Sequence, residues 1–91
     1  MNYDSHSVPL SELPEGKLAT IVSIRLDPEI IGRFMGMGLF AGSRIRILVR
    51  GRTSQKPILL SVGDTRIALG EEYAKRILVE PDCFQTAASS I

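Results

Sequence analysis

From Lys17 onward the chain alternates. Leu18, Thr20, Val22, Ile24 and Leu26 fall on one side and Lys17, Ala19, Ile21, Ser23 and Arg25 on the other, the period of a half-buried strand. The period changes at Asp27. Asp27 is a favoured N-cap type, Pro28 tolerates the first helical position because its missing N–H has no partner there, and Glu29 faces the positive helix end. Ile30, Ile31, Phe34 and Met35 then recur at helical spacing. Gly38 stands where a left-handed closing residue belongs, with Leu39 folding back onto Phe34, while Gly36 reads as a thin point for another backbone to approach.

Period two resumes after Ser43. Ile45, Ile47 and Val49 are expected to face the core, with Arg44, Arg46 and Arg50 opposite them and Leu48 interrupting the charged row. Residues 51–57 carry a glycine and a proline among polar residues and predict an exposed hairpin loop. Ile58-Leu59-Leu60-Ser61-Val62 forms the next strand. Gly63-Asp64 then makes a primed two-residue turn, and Thr65, Ile67 and Leu69 alternate with Arg66 and Ala68. Residues 70–76 read as a single helical turn with Glu71 and Glu72 early and Lys75 and Arg76 late. Ile77-Leu78-Val79 closes the sheet, and Pro81 is expected to block further pairing.

At the amino end, Leu10 and Leu13 are the expected anchors, and Leu13-Pro14-Glu15-Gly16 has the residue preferences of a type I turn. The resulting division is a flexible arm over residues 1–9, a folded domain over 10–80 and a flexible tail over 81–91. Five short strands with a short helix after the first and a helical turn before the last give a mainly β domain. Such a sheet is expected to curl into a small barrel, and strand count alone leaves its topology open.

Length and charge narrow the function. The chain has 91 residues, enough for one domain but with little room for an internal active-site cavity, so a surface-acting module is expected. A formal charge of +1 argues against a coat for nucleic acid or anionic lipid. Cys83 is the only cysteine and His6 the only histidine, which excludes an intrachain disulfide and a Cys/His zinc cage. His6 reads as a solvated side chain, and Cys83 as an inert thiol, because Asp82 and Phe84 supply neither base nor positive charge. The amino end is polar, and no apolar run approaches the roughly 20 residues of a membrane helix, so a cytoplasmic protein is expected.

No catalytic constellation and no metal or cofactor ligand set emerges. Glu71 and Glu72 are adjacent but would point about 100° apart on a helix, too divergent to chelate together. Gly36-x-Gly38-x-x-x-Gly42 closes a helix and precedes a strand, the reverse of a phosphate loop, so Gly38 and Gly42 are structural turn residues. What remains is an interaction surface: Leu39, Phe40 and Ala41 at the turn, with Phe40 as the anchor, beside Arg44, Arg46 and Arg50, with Arg52 and Lys56 in the loop beyond. That strand carries no aromatic residue for stacking bases, so no nucleic acid is expected as a partner.

The run Arg33-Phe34-x-x-Met37-Gly38-Leu39-x-x-Gly42, followed by Pro57-Ile58-Leu59-Leu60-x-Val62-x-x-x-x-Ile67-Ala68-Leu69 and Ala74-x-x-Ile77-x-Val79, resembles the FeoA family over residues 10–80. The chain departs from the family's habit at Ala41, where proline is common, and at Gly70, where a basic residue is common. The resemblance implies an SH3-like barrel. It also implies a non-enzymatic adaptor of bacterial ferrous iron uptake that docks on a FeoB-type membrane transporter with a cytoplasmic GTPase domain, touching the membrane through that partner only. The alternative it implies is a free-standing SH3-like module serving an iron-dependent transcriptional regulator. A third reading, from charge alone, is a small-barrel RNA binder. Self-association stays open.

Overall fold

The computed structural model describes residues 7–50 and 57–82. The chain runs through β1 (Val8–Pro9), a 3-10 turn (Leu10–Glu12), β2 (Leu18–Ile24), α1 (Pro28–Gly36), β3 (Arg44–Val49), β4 (Ile58–Val62), β5 (Thr65–Leu69), α2 (Glu71–Ala74) and β6 (Ile77–Pro81). Its strands form one antiparallel sheet in the order β1-β6-β2-β3-β4-β5. Among the described residues β1 and β5 are the free ends and do not pair, so the sheet is not closed into the expected barrel. Its concave side holds the core, built on the fully buried Leu10, Ile21, Leu39, Ile45, Ile47, Leu60, Ile77 and Val79.

The inward face of β2 is the opposite of the one its stronger apolar set marks. Ala19 and Ile21 are buried, and Val22 is 43% exposed. The β2–β6 register slips between Ile21 and Ser23, and an extra residue on one strand inverts the parity of every later side chain. Inward positions therefore pass from Ala19 and Ile21 to Ile24 and Leu26, which pack against the core. A second slip, between Ile47 and Val49 against β4, does the same to β3. Val49, expected inside, sits opposite Leu59 and is half-exposed.

Helix α1 starts and stops largely where the sequence places it. Asp27 caps through its main chain alone: its carbonyl accepts from the N–H of Ile30 and Ile31 at 3.0 and 2.9 Å, and its side chain makes no cap bond. At the other end Leu39 N–H donates to Phe34 O at 2.8 Å and Gly38 N–H to Met35 O at 3.0 Å, with Gly38 at φ +90°. These two bonds define a Schellman stop. Gly36 is not a point of close approach, since a Cβ there would meet nothing within 4 Å. The β4–β5 turn has Gly63 at φ +60° and no positive φ at Asp64, the II′ form of the primed turn.

Both ends of the ordered sheet lie further out than the sequence marks. Val8 and Pro9, assigned to the arm, pair with Val79 and Leu78. Pro81 does not block pairing: it sits opposite Ala19, and Asp82 N–H donates to Leu18 O at 2.9 Å. A proline can end an antiparallel ladder because only its own N–H is missing. His6, Cys83, Arg52 and Lys56 lie outside the described residues.

Candidate functional site

The turn between α1 and β3 is held from within by one hydroxyl. Ser43 Oγ donates to Gly38 O at 2.7 Å and accepts from Phe40 N–H at 3.0 Å, while Ser43 N–H donates to Phe40 O at 2.9 Å. Gly42, at φ +97°, donates its N–H to Ile21 O at 2.7 Å, and Ile21 N–H donates to Ser43 O at 2.9 Å. The turn is thus fixed both to itself and to β2. Ser43 is only 7% exposed, so its hydroxyl bonds are partly shielded from competition with water. The sequence pattern passes over Ser43; its signal is a small polar residue immediately after a glycine turn and before an apolar strand.

Leu39 belongs to the core. It was expected at the interaction surface, but the Schellman stop turns it inward onto Phe34 and buries it completely. Phe40 and Ala41 do reach solvent, with Phe40 44% exposed. They wall an open groove of about 580 Å³ together with Val22, Ser23 and Ile24 of β2 and Ile31 and Met35 of α1. Burying a side chain such as Phe40 against a partner is worth about 1.5–3 kcal/mol.

The arginine row is more engaged than its alternation implies. Arg44 makes a two-pronged pair with Asp82, Nη1 to Oδ1 at 3.1 Å and Nη2 to Oδ2 at 2.7 Å. Arg46 Nη1 donates to Gly16 O at 3.5 Å, and Arg50 Nη1 donates to Leu13 O at 3.2 Å. Arg50 N–H also donates to Glu15 Oε2 at 2.9 Å. These side chains fasten β3 to the turn over residues 13–16 and to the end of β6. None of them lines the groove, although Arg44 follows the turn directly and lies across from Thr20 of β2. They form its charged shoulder.

No group of His, Cys, Asp or Glu among the described residues is arranged to hold a metal ion. Glu72 lines a depression between α1 and α2 with Asp27, Ile30, Tyr73, Lys75 and Arg76. Beside it, Tyr73 packs its ring edge-on against Phe34, with centroids 5.8 Å apart, and so locks α2 to α1. Among the described residues no helix is long and apolar enough to cross a membrane.

Residues 8–81 match the model of the FeoA domain. The crystal structure of an iron uptake regulatory protein (FeoA) superposes with a TM-score of 0.75 at 33% identity, over 84% of this chain and 99% of that one. FeoA of Stenotrophomonas maltophilia, described as a prokaryotic SH3 domain protein and crystallised with zinc, gives a TM-score of 0.67 at 33% identity, over 80% and 89%. A manganese-dependent transcriptional repressor gives 0.73 at 25% identity, over 81% of this chain but 41% of the repressor. No curated protein matches. The open, curled six-stranded sheet is therefore the SH3-like fold of these proteins, and the chain belongs to the FeoA family, a non-enzymatic accessory family associated with ferrous iron transport.

Proposed function

We propose that this protein is a cytoplasmic adaptor, without enzymatic activity of its own, that docks on the cytoplasmic region of a FeoB-type ferrous iron transporter and regulates it. The observation that carries the reading is the solvent-open apolar groove walled by Val22, Met35, Phe40 and Ala41, whose turn is fixed by Ser43 before any partner arrives. A pre-formed apolar groove supplies affinity with little ordering penalty. The shoulder of Arg44, Arg46 and Arg50 supplies orientation and speeds encounter with an acidic surface.

The test is binding of the full chain to the isolated cytoplasmic region of the transporter. Phe40→Ala should raise the dissociation rate about tenfold or more while leaving association nearly unchanged. Arg46→Glu should slow association and flatten its dependence on salt. Unchanged binding in both variants, each shown to be folded, would remove this surface as the interface. The likeness to the repressor keeps a second reading in play, a module serving a metal-dependent regulator. It predicts capture of a separate DNA-binding protein through the same groove, and none of the transporter.

A further inference from the structure

The groove has a neighbour that the sequence did not mark. Arg25, at the end of β2, and Lys75 and Arg76, between α2 and β6, line a second depression with Leu78. Arg25 N–H donates to Arg76 O at 2.9 Å, which holds the two arginines side by side through the main chain and leaves both side chains in solvent. No carboxylate lines this depression. Asp27 and Glu72 share the adjoining one with Lys75 and Arg76, yet among the described residues the only ion pair is that between Arg44 and Asp82. Three cations thus line one opening with no salt-bridge partner among the described residues.

The two surfaces are continuous. Ser23, which lines the apolar groove, is the cross-strand partner of Leu78, which lines the cationic depression. Paired residues on neighbouring strands share a face, so one side of the sheet carries apolar walls at Val22 and Phe40 and then, past the Ser23–Leu78 pair, positive charge. We infer that the groove and the Arg25–Lys75–Arg76 depression are one docking surface, and that its occupant is an amphipathic helical segment of a partner protein carrying apolar residues followed by carboxylates. This rests on the adaptor reading and names the chemistry of the segment that the adaptor takes.

The spacing sets the register of that segment. Val22 and Arg25 are three residues apart, with Arg25 one residue past the end of β2, a span of at most about 10 Å. On a helix that distance is about seven residues, or two turns. Apolar residues at i, i+3 and i+4 in the groove therefore put carboxylates at i+7 and i+8 over the arginines. Two bilayer-like features are missing: the apolar residues wall a concavity instead of forming one protruding tip, and Phe40 is held in a fixed turn. The cationic depression also has no aromatic lining on which a nucleobase could stack.

The experiment uses the full chain, isotope-labelled, and three synthetic helical peptides. All carry leucine at i, i+3 and i+4; at i+7 and i+8 one carries glutamate, one glutamine and one lysine. The glutamate peptide should shift the amide signals of Val22, Ile24 and Phe40 together with those of Arg25 and Arg76. The glutamine peptide should bind roughly tenfold more weakly and the lysine peptide more weakly still. The double variant Arg25→Glu, Arg76→Glu should invert that order, and Arg25→Gln, Arg76→Gln, which leaves only Lys75 at the opening, should shrink the differences among the three peptides. Equal binding of all three peptides to the unaltered chain, with shifts confined to the groove, overturns the inference and leaves the adaptor reading standing. Absence of any binding at the groove overturns both. Shifts at Phe40 and Arg76 produced by phosphatidylglycerol vesicles, but by none of the peptides, overturn it in favour of a membrane surface.

Discussion

The molecule carries two arginine-rich regions that look alike as residues and differ as structure. On β3, Arg44, Arg46 and Arg50 all reach protein acceptors, and one of them grips the buried carboxylate of Asp82. Around the end of β2, the side chains of Arg25 and Arg76 point into solvent with no ion-pair partner among the described residues. Charge that already has an internal acceptor stabilises the fold in addition to steering an approaching partner. Charge without one remains available to a partner. The same distinction separates the pinned turn over residues 38–43 from its freely exposed tip.

Substitutions in the pinned region therefore move stability as well as binding, and those in the free cluster move only binding. The largest expected effect is at Gly38, whose φ of +90° a β-branched side chain tolerates poorly; Gly38→Val should cost about 2 kcal/mol or more, read as a lowered midpoint in denaturant. Gly36→Ala, with open space for the added methyl, is the control and should leave the midpoint unchanged or slightly raised. Next comes Ser43→Ala, which removes the hydroxyl partner of Gly38 O and Phe40 N–H in a partly buried turn and should cost about 1 kcal/mol. It should also loosen Phe40, so that partner affinity falls along with stability. Asp82→Ala follows at about 1 kcal/mol, kept small because the Arg44 side chain is 54% exposed. Its effect should shrink in high salt, which a titration of thermal midpoint against ionic strength checks.

The smallest effect sharpens the contrast most. Arg25→Ala with Arg76→Ala should change stability by less than about 0.5 kcal/mol, because both side chains are exposed and have no ion-pair partner among the described residues. A loss comparable to that of Asp82→Ala would erase the distinction between the two regions.

What the sequence made legible was local. Asp27-Pro28, the spacing of Ile30 to Phe34 and Gly38 are enough to set both ends of α1, because each acts within a few residues of itself. The alternation of β5 and the Gly63-Asp64 turn are equally self-contained. The misreadings of which side chains face inward involve a partner strand. Nothing near Val22 or Leu48 announces a slipped register, which is decided by β6 and β4 across the sheet, so the alternation left the inward face of β2 unassigned and placed Val49 wrongly. The pairing of Arg44 with Asp82 spans 38 positions, and the groove gathers β2, α1 and the turn. Phe40 and Ala41 were visible as exposed turn residues; Leu39 was grouped with them although the Gly38 stop already implied its fold-back onto Phe34, and that fold-back is what buries it.

One feature of the sheet bears on how such a domain travels between proteins. Because β1 pairs with β6, Val8 lies against Val79, and the chain enters and leaves the fold along neighbouring ribbons. A unit whose two ends emerge together can be appended to a host, or spliced into one of its loops, without threading the host chain through or around it. The same fold accounts for 41% of a manganese-dependent repressor, as expected of a self-sufficient cassette whose attachment points sit side by side.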